Sequence, residues 1–211
     1  MAILRNLKKM LFSGRIGDIV GCNGSKRSYI RSAPRKKQQE FSLLQLASHR
    51  KMAMASALLS PIRSLLEESI TRKSKTFSSG YGAAMSQLLK NGFKGQYPDL
   101  EINYPELMFS SGSLARTRTA MQLLENFTVR VEWDIELDYN PEGAAEEVAV
   151  LIYSPDKNEY AIERNIGERI DRVANFYIPE AFRNQKLHYY FFFHDRAFKK
   201  ASATHYLGFT S

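Results

Sequence analysis

The sequence predicts an α+β protein in which a basic N-terminal β-hairpin and helices precede a seven-stranded β-sandwich. Three observations carry that prediction. Two short runs of β character, Arg15–Cys22 and Ser25–Arg31, flank Asn23-Gly24. Asn-Gly favours a hairpin because a type I′ turn needs positive φ at both central residues. Residues 40–71 then place Leu44, Ala47, Ala55, Leu58, Leu59, Ile62, Leu65, Leu66 and Ile70 mostly three, four or seven apart, the spacing of one helical face. From Tyr97 onward the period falls to two, as expected of strands with one buried and one wet face.

Each element follows from local chemistry. In the hairpin, Gly14, Gly17 and Gly21 weaken a lone strand but let another backbone approach closely, and a two-stranded hairpin is marginal in water, so this one must pack on something. In the helical stretch Pro61 either kinks one helix or starts a second with Ser60 as N-cap. A further helix over about 79–91 ends at Asn91-Gly92, a normal C-terminal stop. Leu100–Tyr104 alternates between Pro98 and Pro105. A strand is expected at 114–124, and the clearest one starts at Phe127: Val129, Val131, Trp133, Ile135 and Leu137 alternate with Thr128, Arg130, Glu132, Asp134, Glu136 and Asp138. Further strands are expected near 147–153 (Val148, Val150, Ile152), 158–163, 172–178 (Val173, Phe176, Ile178), 187–194 and 201–207, separated by turn residues such as Asn140-Pro141 and Pro155-Asp156. About seven short strands at regular spacing indicate a sandwich. Its expected core is Val129, Val131, Trp133, Ile135, Val150, Ile152, Phe176, Ile178, Tyr189, Phe191 and Phe193. Because Tyr190, Phe192 and His194 fill the other face of the same run, that strand is expected to be central. The resulting divisions are a basic Gly-rich arm (1–37), a helical segment (38–95) and a β-sandwich domain (96–211).

Charge separates these parts. The 211 residues carry a net +8, but residues 1–95 hold 18 Lys and Arg against 4 Asp and Glu, while residues 96–211 hold 12 against 18. One cysteine excludes an intrachain disulfide framework and any multi-cysteine zinc site. Arg5, Lys8 and Lys9 interrupt the apolar N-terminus, so no signal peptide is expected. The longest uncharged apolar stretch, 52–62, is too short to span a bilayer. A soluble protein made in the cytoplasm is the expectation, with a cationic amphipathic segment at 3–12 able at most to touch a membrane surface.

Motifs for chemistry are sparse. Gly14-x-x-Gly17-x-x-x-Gly21 matches neither phosphate-loop pattern and is read as hairpin glycine. Glu132, Asp134, Glu136 and Asp138 would line one strand face about 7 Å apart. That is a solvated acidic ladder, suited at most to weak cation binding or to a basic partner, since a hydrolase sets its acids across a cleft. His49, His188, His194 and His205 form no ligand spacing, Cys22 lacks a nucleophile context, and there is no G-x-S-x-G. No enzyme activity, cofactor, metal or small-molecule substrate is expected.

The basic arm carries the functional expectation. Residues 1–37 contain ten Lys and Arg against Asp18 alone. Lys8, Lys9, Arg15, Lys26, Arg27, Arg31, Arg35, Lys36 and Lys37, with Tyr29 for stacking, are the candidate contacts to a partner or nucleic acid. Gly14, Gly17, Gly21, Asn23 and Gly24 are its structural hairpin residues. The alternatives are self-assembly, in which the basic half of one subunit meets the acidic half of the next, contact with another structural protein, nucleic-acid binding, and a passive edge kept charged against strand addition.

The run Phe12–Gly21, followed by Tyr29–Lys37, resembles an uncharacterised bacterial family of about 200-residue proteins, best represented in Bacteroidota, that open with a Gly-rich hairpin. Asn91–Pro98, Glu101–Tyr104, Ser111–Leu114 and Tyr206–Gly208 are also similar to it. Gln38–Phe41 follows the family's helix start loosely, and the usual Asn-Pro is absent. The resemblance implies architecture and no activity. Similar openings in small phage structural proteins imply, by analogy, a virion or phage-like particle component. Separately, Phe127–Trp133 is similar to the Trp-bearing second strand of fibronectin type III or Ig-like sandwiches, with Lys186–Phe193 as a later aromatic strand.

Overall fold

In the computed structural model, which describes residues 2–3, 13–23, 28–34, 40–71, 79–135, 146–195 and 200–210, the chain divides into two units, residues 1–41 and 42–211. The first is one antiparallel sheet of β1 (Ala2–Ile3), β2 (Gly14–Ile16), β3 (Ile19–Asn23) and β4 (Ser28–Ser32), in the order β1-β4-β3-β2. The expected single strand over 15–22 is in fact two strands. Ile16 pairs with Ile19 across the two-residue turn Gly17-Asp18, with Gly17 at φ +57°, the positive φ that a II′ turn needs at its first central residue. Asn23 is not a turn residue: it ends β3 opposite Ser28, so the connection to β4 is longer than the two-residue Asn-Gly turn expected. Gly24 lies outside the described residues.

The second unit begins with a capped helix. Ser42 Oγ accepts from the Gln45 N–H at 3.3 Å and the Gln45 side chain accepts from the Ser42 N–H at 2.9 Å, a reciprocal capping box that starts α1 (Leu43–Leu59). Pro61 sits in a 3₁₀ turn, Ser60–Ile62, that leads into α2 (Arg63–Ser69). Ser60 provides no side-chain cap there, which corrects that part of the expectation. Ser79 caps α3 (Gly80–Asn91) by accepting from the Gly82 N–H at 3.0 Å. The Glu67 carboxylate accepts from the Gly80 and Tyr81 N–H groups at 2.8 and 3.3 Å, placing negative charge at the positive end of the helix. Glycine is required at 80: a Cβ there would stand 2.0 Å from the Leu66 carbonyl oxygen.

A short ribbon of β5 (Phe93–Lys94) and β6 (Glu101–Ile102) follows. Then come β7 (Thr119–Leu123), β8 (Thr128–Trp133), β9 (Glu146–Ser154), β10 (Glu159–Glu168), β11 (Val173–Tyr177), β12 (Leu187–Asp195) and β13 (His205–Thr210). They form two antiparallel sheets, β10-β9-β12-β13 and β11-β8-β7. The strands expected at 114–124 and 201–207 are shorter or displaced: residues 111–114 and 201–202 make only isolated bridges. Ser110 and Thr204 hold these segments together, with Thr204 Oγ1 accepting from the Phe109 and Ser110 N–H groups at 2.9 and 2.7 Å.

Alternation along β9 and β12 assigns their residues to two cores. Val148, Val150, Ile152, Tyr189, Phe191 and Phe193 face the three-stranded sheet and meet Val129, Val131, Trp133, Ala174 and Phe176. Ala149, Leu151, Tyr153, Tyr190 and Phe192 face the helices and meet Leu58, Leu59, Leu66 and Leu88. Both strands are therefore buried on both faces, which explains their unbroken apolar runs. Each such side chain contributes about 1.5–3 kcal/mol of transfer free energy. Of the expected core, Val129, Val131, Trp133, Val150, Ile152, Phe176, Ile178, Tyr189, Phe191 and Phe193 are buried, whereas Ile135, beyond the end of β8, is only half-buried. The fold is thus α+β with mostly antiparallel strands, and among the described residues no helix is long and apolar enough to cross a membrane.

Candidate functional site

The N-terminal sheet is built from two unlike faces. Residues paired across an antiparallel ladder project to the same side. Arg15, Val20 and Arg31 form one row, and Cys22 and Tyr29 the next. The three expected contact residues that are described, Arg15, Tyr29 and Arg31, therefore share one face. Arg15 and Arg31 are exposed and Tyr29 is half-buried, and Arg15 Nε donates to the Gly17 carbonyl at 2.9 Å. Lys8, Lys9, Lys26, Arg27, Arg35, Lys36 and Lys37 lie outside the described residues.

The opposite face carries Ile16 and Ile19, paired with each other, beside Ile30 and the facing glycines Gly14 and Gly21. Ile16 is 58% exposed and Ile19 43%. Among the described residues of this unit whose burial is assigned, only Gly21 and Ser28 are buried, so no large apolar side chain is covered. Sequence reasoning missed this face because a single strand over 15–22 would place Ile16 and Ile19 on opposite sides. The signal was Gly17-Asp18, as good a turn as Asn-Gly. At the start of α1, Leu43 and Leu44 are also exposed, at 74% and 81%.

The second unit gathers polar side chains at three places. A shallow hollow of about 430 Å³ lies over the three-stranded sheet, lined by Arg118, Arg130, Glu132, Asp134 and Arg172. The expected acidic ladder is interrupted here: Glu132 is paired with Arg130 at 2.7 Å, and Glu136 and Asp138 lie outside the described residues. No group of three or more His, Cys, Asp or Glu among the described residues is placed to hold a metal ion. At one end of the two-sheet core, buried Arg169 pairs with Glu146 and donates to the Ala115 carbonyl. Its guanidinium lies 4.2 Å from the centre of the Phe193 ring, while Trp133 Nε1 donates to the Arg169 carbonyl at 2.7 Å. This network closes that end of the core.

The helix-side core contains a tyrosine cluster. His188 stacks on Tyr104 at 3.9 Å between ring centres, and its Nδ1 lies 2.8 Å from the Tyr206 hydroxyl. Burial, aided by nearby Lys186, lowers its pKa to about 4. Burial also raises Tyr153, Tyr160 and Tyr190 above the ordinary tyrosine value. Their hydroxyls are occupied: Tyr160 donates to the Leu58 carbonyl at 2.8 Å and Tyr190 to the Tyr104 carbonyl at 3.2 Å. Tyr160 thus ties β10 to α1, whereas the buried His188 Nε2 has no hydrogen-bond partner among the described residues.

The profile of a family of unknown function (DUF6266) matches residues 11–208, and the chain belongs to that family. No curated protein and no solved structure matches it at a significant level.

Proposed function

We propose that the chain is a non-enzymatic assembly protein whose N-terminal sheet contacts a neighbouring subunit or another structural protein. The carrying observation is the exposed pair Ile16 and Ile19 on one face of that sheet, beside half-buried Ile30. A sheet with one apolar face needs something against it to be stable, and covering exposed apolar area is the general driving force of association. The charge asymmetry supports an acidic partner surface, the second half of a like chain included. For the second unit, the distribution of the seven strands β7–β13 over its two larger sheets supports a fibronectin type III-like sandwich. In chain order, the first, second and fifth strands form one sheet, and the other four form the second. A tryptophan on the second strand agrees with that reading.

Size-exclusion chromatography with light scattering tests the proposal. The full chain is expected to self-associate, and a variant lacking residues 1–37, which retains both cores, to be monomeric. A full chain that stays monomeric at high concentration, in low and in physiological salt, excludes self-assembly. The second reading, nucleic-acid binding, is favoured by Arg15, Arg31 and Tyr29 sharing one face. It requires affinity for DNA or RNA that falls steeply with salt through counterion release, and no binding at low salt ends it.

A further inference from the structure

The hollow over the three-stranded sheet concentrates arginine in the acidic half of the chain. Residues 96–211 hold 12 Lys and Arg against 18 Asp and Glu, yet Arg118, Arg130 and Arg172 all line this one hollow of about 430 Å³. They belong to three neighbouring strands: Arg130 lies within β8, Arg118 directly precedes β7 and Arg172 directly precedes β11. Backbone pairing fixes the outer two on either side of β8. The Asp134 N–H donates to the Arg118 carbonyl at 3.1 Å, and the Trp133 N–H donates to the Arg172 carbonyl at 3.0 Å. Adjacent strands lie about 4.8 Å apart, so the three side chains are rooted within two strand spacings of one another.

Two features distinguish this cluster from an ordinary solvated face. Arg172 has φ +62°, a left-handed backbone uncommon for a long side chain and of a kind that collects at ligand sites. The ion pairing is also incomplete. Glu132 accepts from Arg130 Nε at 2.7 Å, which holds that guanidinium and leaves its two terminal nitrogens without a partner among the described residues. Arg118, Arg172 and Asp134 make no side-chain hydrogen bond or ion pair among the described residues.

Planar guanidinium forks match the oxygens of an oxyanion, and Asp134 narrows the class. A lone carboxylate on the wall repels a fully ionised sulfate or carboxylate, but accepts a hydrogen bond from an oxyanion that keeps a proton. Phosphate monoesters do so, with a second pKa of about 6. We infer that this hollow binds the phosphate group of a small monoester, held by Arg118, Arg130 and Arg172, with its protonated oxygen donating to Asp134. A second hollow of about 340 Å³, lined by Ala120, Met121, Gln122, Arg130 and Glu132, adjoins the first through Ala120, Arg130 and Glu132. It runs along β7 and gives the body of the ester its space. The site is independent of the assembly role proposed for the N-terminal sheet.

Calorimetric titration of the full chain with glycerol phosphate, inorganic phosphate and sulfate, followed in parallel by tryptophan fluorescence, tests it. Trp133 is the only tryptophan and borders the hollow, so its signal separates this site from ions gathered by the basic N-terminal arm. At about pH 6, where half of a monoester carries the second proton, both phosphates are expected to bind with a Trp133 signal, and sulfate roughly tenfold more weakly. Tighter binding of glycerol phosphate than of inorganic phosphate supports the ester; equal binding overturns the second hollow's part and leaves the free ion as ligand. Arg118→Gln and Arg172→Asn, the latter a residue that tolerates the left-handed backbone, are each expected to weaken phosphate binding roughly tenfold with thermal unfolding unchanged. Asp134→Asn is expected to bring sulfate to within about threefold of phosphate. Phosphate that binds wild type and all three variants alike, sulfate that binds wild type as tightly as phosphate, or no saturable binding overturns the inference.

Discussion

The sheet β10-β9-β12-β13 has central strands buried on both faces, while the sheet β1-β4-β3-β2, with the same number of strands, covers no large apolar side chain among its described residues with assigned burial. The first places every position of β12 from Leu187 to His194 in a core. The second divides its residues into a basic row, Arg15 and Arg31, and an apolar row, Ile16 and Ile19, and leaves both in solvent. Hydrogen-bonded ladders are common to the two, so pairing alone does not distinguish scaffold from surface. Side-chain burial does. A sheet that is paired but uncovered is a surface awaiting contact.

The largest test of that contrast is a pair of truncations. Phe192→Ala empties a fully buried site between β12 and the helices and is expected to cost about 3–5 kcal/mol. Ile16→Ala on the isolated chain is expected to change stability by less than about 0.5 kcal/mol. Urea unfolding of monomeric samples measures both, and equal costs would remove the distinction between the two sheets.

A second test sharpens how the scaffold sheet is closed. Arg169→Ala leaves Glu146 without its buried partner and the Phe193 ring without its cation, with an expected loss of about 3 kcal/mol. Arg169→Lys is expected to recover only part, because an ammonium lacks the fork that reaches both Glu146 and the Ala115 carbonyl. Recovery to wild-type stability would mean that charge alone matters there.

The smallest effect is a pH dependence confined to the second unit. The His188 pKa near 4 lies below the ordinary value of about 6.5, so the folded chain prefers the neutral ring and the unfolded chain binds the extra proton between those values. The stabilisation is complete above about pH 6.5 and is lost as pH falls toward 4. Burial shifts His194 and His205 in the same direction. Stability is expected to drop between pH 7 and pH 5, with roughly 1–2 kcal/mol of the drop removed by His188→Asn. An unchanged slope in that variant would assign the effect to the other histidines.

Much of this architecture was legible because its signals are local. The Gly92 stop ends α3 where the sequence placed it, and the alternation from Val129 to Trp133 marked the buried face of β8. The break after Leu59 was legible from Pro61, although the Ser60 side chain does not cap the next turn. The N-terminal sheet was read less well. Gly17-Asp18 and Asn23-Gly24 both offer turn chemistry, and choosing the second merged two strands and separated Ile16 from Ile19. Glu132 was read as one rung of an acidic ladder because a sequence does not show that Arg130, two residues away on the same face, reaches it.

By itself the sequence determined the helical segments and the end of α3, the faces of the best strands, the family resemblance and the separation of charge along the chain. These rest on short-range spacing, which caps, turn residues and periodicity encode directly. Only the tertiary structure decided that β9 and β12 are covered twice, that seven strands divide three against four, and that Arg15, Tyr29 and Arg31 share a face opposite two exposed isoleucines. A period of two specifies which residues point the same way, but not which strand lies alongside or what covers the face. That is settled by long-range pairing, where many registers satisfy the same local preferences and burial selects among them.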